Sequence, residues 1–410
     1  MMEKNRKMKR LRAFCAAGER RSMQKKFVSK KYENGHATML GDLGPKAAAY
    51  EDLINFSIGD PDLKTDDRII EAAFADAKAG YTHYTDTRGM RELRDAIRAF
   101  YREEFDFEVA DEEVAVTTSA CQGMWAVMQA VLDEGDEVIV PEPYFSPYKD
   151  QIEMAGGVLV PLPTCEEENF EVNVHRIEPL ITPRTKAILF NTPNNPTGVV
   201  YSADTLTRMA AILTEKSAQY GHNIFLVSDE PYRDIVFDGK TVPYPAAFYP
   251  HTLTCFSYSK SLSLPGERLG YVAVRPGCEG EDILVDMMSQ ISRFTGHNCP
   301  PSIIQRAVSR CQKVTSDLSV YQTNMELLYE KLTALGFEVE RPGGTFYIFP
   351  KALEEDANAF CQKAREFDLL LVPSDSFGVK GYVRLAYCID TEKVKRSLPA
   401  FEKLAAAYRK

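Results

Sequence analysis

Residues 257–270 read SYSKSLSLPGERLG, and the fold turns on which of their side chains does the chemistry. Ser257-Tyr258-Ser259-Lys260 fits the S-x-x-K pattern, in which a serine hydroxyl attacks a carbonyl beside a lysine. That chemistry asks for companion S-D-N and K-T-G motifs, and the chain has Ser228-Asp229-Glu230 and Lys240-Thr241-Val242 in their place. A lysine nucleophile asks for different neighbours: an anion cradle, an acid to hold a cationic ring nitrogen, and donors for a phenolic oxygen. All three are present, in order along the chain.

Outward from this stretch, short β-branched runs alternate with helical ones. Strands are expected at 114–117, 137–140, 187–190, 224–227, 253–256 and 270–274, with helices over 122–132 and 202–219. This rhythm predicts an α/β fold with a mainly parallel sheet covered by helices on both faces. Ligands of such sheets sit at the carboxyl ends of the strands. The polar clusters fall there: Thr118-Ser119-Ala120, Asn191 to Gly198, Asp229, and Ser257 to Lys260. Beyond residue 300, apolar residues from Ile304 through Val308, Leu318, Tyr321 and Met325 to Leu332 recur at three and four, predicting one long helix. Short strands near 346–349 and 382–387 and helices near 355–366 and 391–407 complete a smaller α+β domain.

Composition narrows the class. With 44% hydrophobic and 26% charged residues, the 410-residue chain reads as a soluble globular protein of more than one core. No apolar run reaches the length of a membrane span. Nine scattered cysteines, odd in number and never spaced C-x-x-C, argue against a disulfide frame or a metal site and for a reducing, cytoplasmic compartment. Residues 1–31 carry twelve Lys or Arg against Glu3 and Glu19, so the rest of the chain is strongly acidic and a poor partner for nucleic acid. The basic stretch reads as a solvated arm.

Taken together, YTHYTDTRGMRELRDAI around Tyr84, TTSACQ around Ser119, PYF at 143–145, NTPNNPTG at 191–198, SDEPY at 228–232, SYSKSLSLPGERLG and VRLAY at 383–387 resemble the class I aminotransferases of the pyridoxal-phosphate fold type I superfamily. The resemblance runs from about Asn55 to Asp390. It implies a large domain with a mainly parallel sheet plus a smaller α+β domain: a basic arm over 1–35, an N-terminal segment of the small domain over 36–60, a large cofactor-binding domain over 61–298 and a small C-terminal domain over 299–410.

The resemblance also assigns roles. Lys260 would attach covalently to the cofactor aldehyde and later move the substrate α-proton. Asp229 would pair with the pyridine nitrogen, and Tyr232 and Asn195 would bond the phenolic oxygen. Ser119, Ala120 and Cys121, at a helix start, would cradle the phosphate with Ser257 and Arg268. Read without the resemblance, Ser119 is equally a plain N-cap. Phe145 would stack on the ring, with Tyr144 the alternative. Tyr84 would reach the phosphate of the other subunit of a homodimer with shared sites. Arg384, buried between apolar neighbours, would grip the substrate α-carboxylate together with Asn195 and the backbone of Gly59. Arg293, in 292-SRFTGHNCPP-301, matches the arginine that binds a distal carboxylate from across the dimer in one branch of aspartate aminotransferases. The expected reaction is ping-pong transamination between an L-amino acid, aspartate or glutamate by choice, and a 2-oxo acid. Aromatic- and alanine-type transaminases and carbon–sulfur lyases on the same framework are the alternatives.

Overall fold

A computed structural model describes residues 53–409. The expected basic arm and most of the 36–60 segment lie outside the described residues.

Among the described residues, twelve strands follow in chain order: β1 (Ile54–Asn55), β2 (Val114–Thr117), β3 (Glu137–Glu142), β4 (Val158–Pro163), β5 (Thr185–Asn191), β6 (Phe225–Asp229), β7 (Thr252–Ser257), β8 (Gly270–Val274), β9 (Tyr347–Ile348), β10 (Leu369–Leu370), β11 (Val372–Pro373) and β12 (Val383–Ala386). Seven of them form one sheet in the order β2-β8-β7-β6-β5-β3-β4. The β4-β3-β5-β6-β7 ladder is parallel throughout, whereas β8 runs antiparallel to both β7 and β2. The six strands read from sequence are all here. β4 was not read, because its side chains are mostly part-exposed and carry no clean alternation.

Every residue of β5, β6 and β7 except Lys186 is buried, which is why these strands read as continuous apolar runs ending in a polar residue. Register then does what spacing along the chain cannot. Asn191 pairs with Asp229, Asp229 with Cys255, and Ser257 with Gly270, so the polar strand ends stand side by side at one edge of the sheet. The helices between strands have ordinary stop and start signals. Ser202 caps the helix Ala203–Tyr220 by accepting from the Thr205 N–H, and Gly221 ends it in the left-handed region at φ 72°.

The small sheets pair β9 and β11 antiparallel on either side of β12, and β1 with β10 in parallel. Their apolar side chains share a core with the helices Ser319–Ala334 and Thr391–Ala406. The single long helix expected beyond residue 300 is instead two, Ser302–Ser309 and Ser319–Ala334. Asp317 interrupts the stripe by accepting from both the N–H and the hydroxyl of Ser319, an N-terminal signal in the middle of a helical period. The two halves face different cores: Ile304, Ala307 and Val308 pack with Val116 and Tyr271 of the large sheet, while Tyr321, Met325, Leu328 and Leu332 pack with Phe346 and Leu385.

Candidate active site

Asp229 closes β6 with its carboxylate buried. Its Oδ2 accepts from the Tyr148 hydroxyl at 2.7 Å, while Oδ1 is buried without a partner among the described residues. Burial pushes the Asp229 carboxyl up to about 7, opposed by the Tyr148 hydrogen bond and reinforced by the neighbouring Glu230 carboxylate. An acid held this way, with one oxygen steadied and the other open, calls for a cationic N–H at Oδ1.

Lys260 follows β7 by three residues, and its Nζ donates to the Gly59 carbonyl at 2.7 Å. Burial holds its amine below the usual lysine range, with Arg384 and Arg268 adding to the effect. The nearby serine takes no part in that bond: Ser257 Oγ lies 2.8 Å from Ser259 Oγ. A serine attacking with Lys260 as its base has no geometric support.

At the other end of the cluster, the helix Ala120–Val131 begins beneath β8. Its approach is close because residue 270 is glycine; a Cβ there would lie 2.3 Å from the Phe256 carbonyl oxygen and 2.8 Å from the Ser119 carbonyl carbon. Ser119, at φ 101°, caps no helix N–H with its side chain. Its hydroxyl instead accepts from Arg268 Nη2 at 2.7 Å, a guanidinium brought to the first turn of the helix, where backbone N–H groups are unpaired. Cys121 sits in the same turn, with its carbonyl accepting from Gln151 Nε2 at 2.9 Å. A cleft of about 1050 Å³ opens here, lined by Tyr84, Ser119, Cys121, Trp125, Arg268 and His297 among others. Lys260 and Asp229 do not border it, so it marks the anion end of the cluster and not its reactive end.

Arg384, on β12, is buried and reaches Asn195 Oδ1 at 3.2 Å and the Ser57 carbonyl at 2.8 Å. Its guanidinium carbon lies 4.6 Å from the Tyr347 ring centroid and 5.0 Å from that of Phe377, while its Nε has no partner among the described residues. A buried guanidinium with only neutral acceptors is undercompensated, which suits it to a carboxylate ligand.

Two residues in this cluster were not read from sequence. Tyr148 is three residues beyond Phe145, and the PYFSPY spacing holds the only hint of it, since the two rings meet edge to face at 5.6 Å. Tyr144, the alternative for ring stacking, turns into the core and gives its backbone N–H to the Phe377 carbonyl. Tyr347 reads as core in GGTFYIF, yet its hydroxyl lies 3.2 Å from that of Tyr232. A Cβ on Gly59 would sit 1.8 Å from the Tyr347 hydroxyl oxygen, so a larger residue here would have to displace that side chain.

Two expected residues are exposed, although Tyr84 borders the cleft at Ser119 and Arg268. Tyr84 is 88% exposed, and Arg293, in the last turn of the helix Glu281–Phe294, is exposed with no guanidinium partner among the described residues. Neither is bonded to the cluster of its own chain.

The residues fit a pyridoxal 5'-phosphate: the orphaned Asp229 Oδ1 matches a ring N–H, the Lys260 amine an aldehyde, and the Ser119–Arg268 turn a phosphate. The family model described as aminotransferase class I and II matches residues 51–401. An aspartate/prephenate aminotransferase of Thermus thermophilus is 33% identical over 363 residues, covering 86% of this chain and 91% of that one. Among solved structures, an amino transferase from Eubacterium rectale superposes with a TM-score of 0.86 at 38% identity, covering 95% of this chain and 98% of that one. The aspartate aminotransferase of Thermus thermophilus with maleate superposes with a TM-score of 0.85 at 31% identity, covering 92% and 99%.

Proposed function

The chain belongs to the class I and II aminotransferases, which makes it a pyridoxal-phosphate-dependent transaminase, and we propose that it moves the amino group of aspartate or glutamate to a 2-oxo acid in two ping-pong half-reactions. When bound, the cofactor supplies an aldehyde to carry the amino group and a ring to absorb the electrons released at the substrate Cα. The protein's part follows from its own side chains. Lys260, its amine pKa lowered by burial, has a larger neutral fraction with which to bond the aldehyde and then to take and return the α-proton at Nζ. Asp229 keeps the ring nitrogen protonated through Oδ1 while Tyr148 holds Oδ2. Tyr232 and Asn195 bond the phenolic oxygen, Phe145 covers the ring, and Ser119, Ala120, Cys121, Ser257 and Arg268 hold the phosphate. Arg384 takes the substrate α-carboxylate beside Gly59.

The observation that carries this reading is the conjunction of an Asp229 Oδ1 without a partner among the described residues, at the end of β6, and a buried Lys260 amine just beyond the end of the neighbouring β7. The preference for a dicarboxylate rests on Arg293 and is supported by relatives that bear the name aspartate aminotransferase, one of them bound to maleate. An arginine that is exposed and has no guanidinium partner among the described residues leaves its charge open to a carboxylate, which supports that reading. Tyr84, 88% exposed, has the same character, and both support a homodimer with shared sites. Eight described cysteines are free, in keeping with a reducing, cytoplasmic setting. Among the described residues no helix is long and apolar enough to cross a membrane.

The test is a screen of the common amino acids against 2-oxoglutarate, followed by Arg293→Ala. Losing a charged hydrogen bond is expected to cost about 1.5 to 3 kcal/mol, roughly 10- to 150-fold in kcat/KM, on aspartate and glutamate alone. Equal losses on phenylalanine or alanine, or no aspartate activity in the parent enzyme, would end the dicarboxylate reading.

A further inference from the structure

The Tyr232 and Tyr347 hydroxyls lie 3.2 Å apart, each without another hydrogen-bond partner among the described residues. Both are buried. Tyr347 is wedged from every side. Its ring stands 4.9 Å from that of Phe346 and 5.7 Å from that of Tyr232, the Arg384 guanidinium covers it at 4.6 Å, and its oxygen fills the space that a Cβ on Gly59 would need. A side chain so clamped has one hydrogen-bond option, which is Tyr232.

A phenol has one hydrogen to donate and lone pairs to accept with. Between the two tyrosines either hydroxyl can donate. That freedom ends once Tyr232 is called on by an anionic oxygen, because its single hydrogen then points at that oxygen. Tyr347 must become the donor, and a chain of two donors aimed the same way is stronger at its end than one alone. Arg384 favours this order, since a positive charge over the Tyr347 ring makes its hydroxyl the better donor.

We propose that Tyr347 is a positioning residue that fixes the donor direction of Tyr232 toward the cofactor's phenolic oxygen, and that Gly59 is glycine in order to admit it. Substrate-side and cofactor-side groups thereby share one ring: Arg384 lies on its face and Tyr232 at its hydroxyl. The inference rests on the reading of Tyr232 as a ligand of that oxygen, and the experiment separates the two.

The experiment follows the pH-dependent visible absorbance of the cofactor on the resting enzyme, with no substrate present. A hydrogen bond donated to the phenolic oxygen favours its anionic form and lowers the pH at which the proton shared with the Lys260 nitrogen leaves. Tyr347→Phe keeps the ring against Arg384 and Phe346, so folding should be retained. It is expected to raise the midpoint by about 0.5 to 1 pH unit, the equivalent of one neutral hydrogen bond. Tyr232→Phe is expected to raise it further, and Tyr347→Phe added to Tyr232→Phe is expected to add nothing. No shift in Tyr232→Phe overturns the assignment of Tyr232 itself. A shift in Tyr232→Phe with none in Tyr347→Phe, or equal Tyr347→Phe shifts in both backgrounds, overturns the positioning role alone. Should Tyr347→Phe not yield folded enzyme, Gly59→Ala, which displaces the Tyr347 hydroxyl, must raise the midpoint in the parent and leave Tyr232→Phe unmoved, or the role is refused.

Discussion

Asp229→Asn should make the cofactor-free protein more stable above neutral pH while crippling its affinity for cofactor. The folded carboxyl is raised from 3.8 to about 7, chiefly by burial, so the folded state binds its proton more tightly than the unfolded chain does. Stability from this group is therefore fully present below about pH 4, falls as pH rises, and is gone above about 7. At roughly 1.4 kcal/mol per unit, the ionised carboxylate costs the cofactor-free fold about 4 kcal/mol at pH 8. Asparagine avoids that cost, but its amide leaves a buried donor unpaired where Oδ1 has no partner, about 1 to 3 kcal/mol. The expected net gain is about 1 to 3 kcal/mol at pH 8, fading to nothing or reversing near pH 4. The assay is urea unfolding of both proteins, stripped of cofactor, at pH 4 to 8. The difference between the two curves should climb between pH 4 and 7, while cofactor affinity falls at least 10-fold from the lost charged contact. Parallel stability curves across that range would refute the claim that Asp229 is strained by burial and waiting for a cation.

Lys260→Ala is expected to abolish covalent attachment; borohydride reduction of the parent enzyme followed by peptide mapping should place the label on Lys260, and label on any other lysine would overturn its role. Gly270→Ala drives a methyl into the Phe256 carbonyl and the Ser119 turn, so a loss of about 1 to 3 kcal/mol in unfolding free energy is expected, together with weaker binding of inorganic phosphate. Unchanged stability and phosphate affinity would mean that the helix start does not depend on this contact.

What the sequence determined by itself were the features that live in a few consecutive residues. A buried parallel strand is mostly apolar along its length and tolerates a polar residue at its end, so Asn191, Asp229 and Ser257 announced their places before any fold was drawn. The alternation of such strands with helices carried the α/β class, and six of the seven strands of the large sheet, because that pattern is the local cost of covering two sheet faces. Tertiary structure decided whatever depends on contacts between distant segments. The stripe beyond residue 300 has one period yet serves two cores, since periodicity reports that a face is buried and not against what. Tyr148 and Tyr347 look like packing aromatics in the sequence, and only the approach of β6 and of Tyr232 turns their hydroxyls into partners. Which oxygen of Asp229 is left open, and that a phenol fills the place of a Cβ on Gly59, follow from groups that meet across 81 and 288 residues of chain, respectively, a separation over which no local pattern survives.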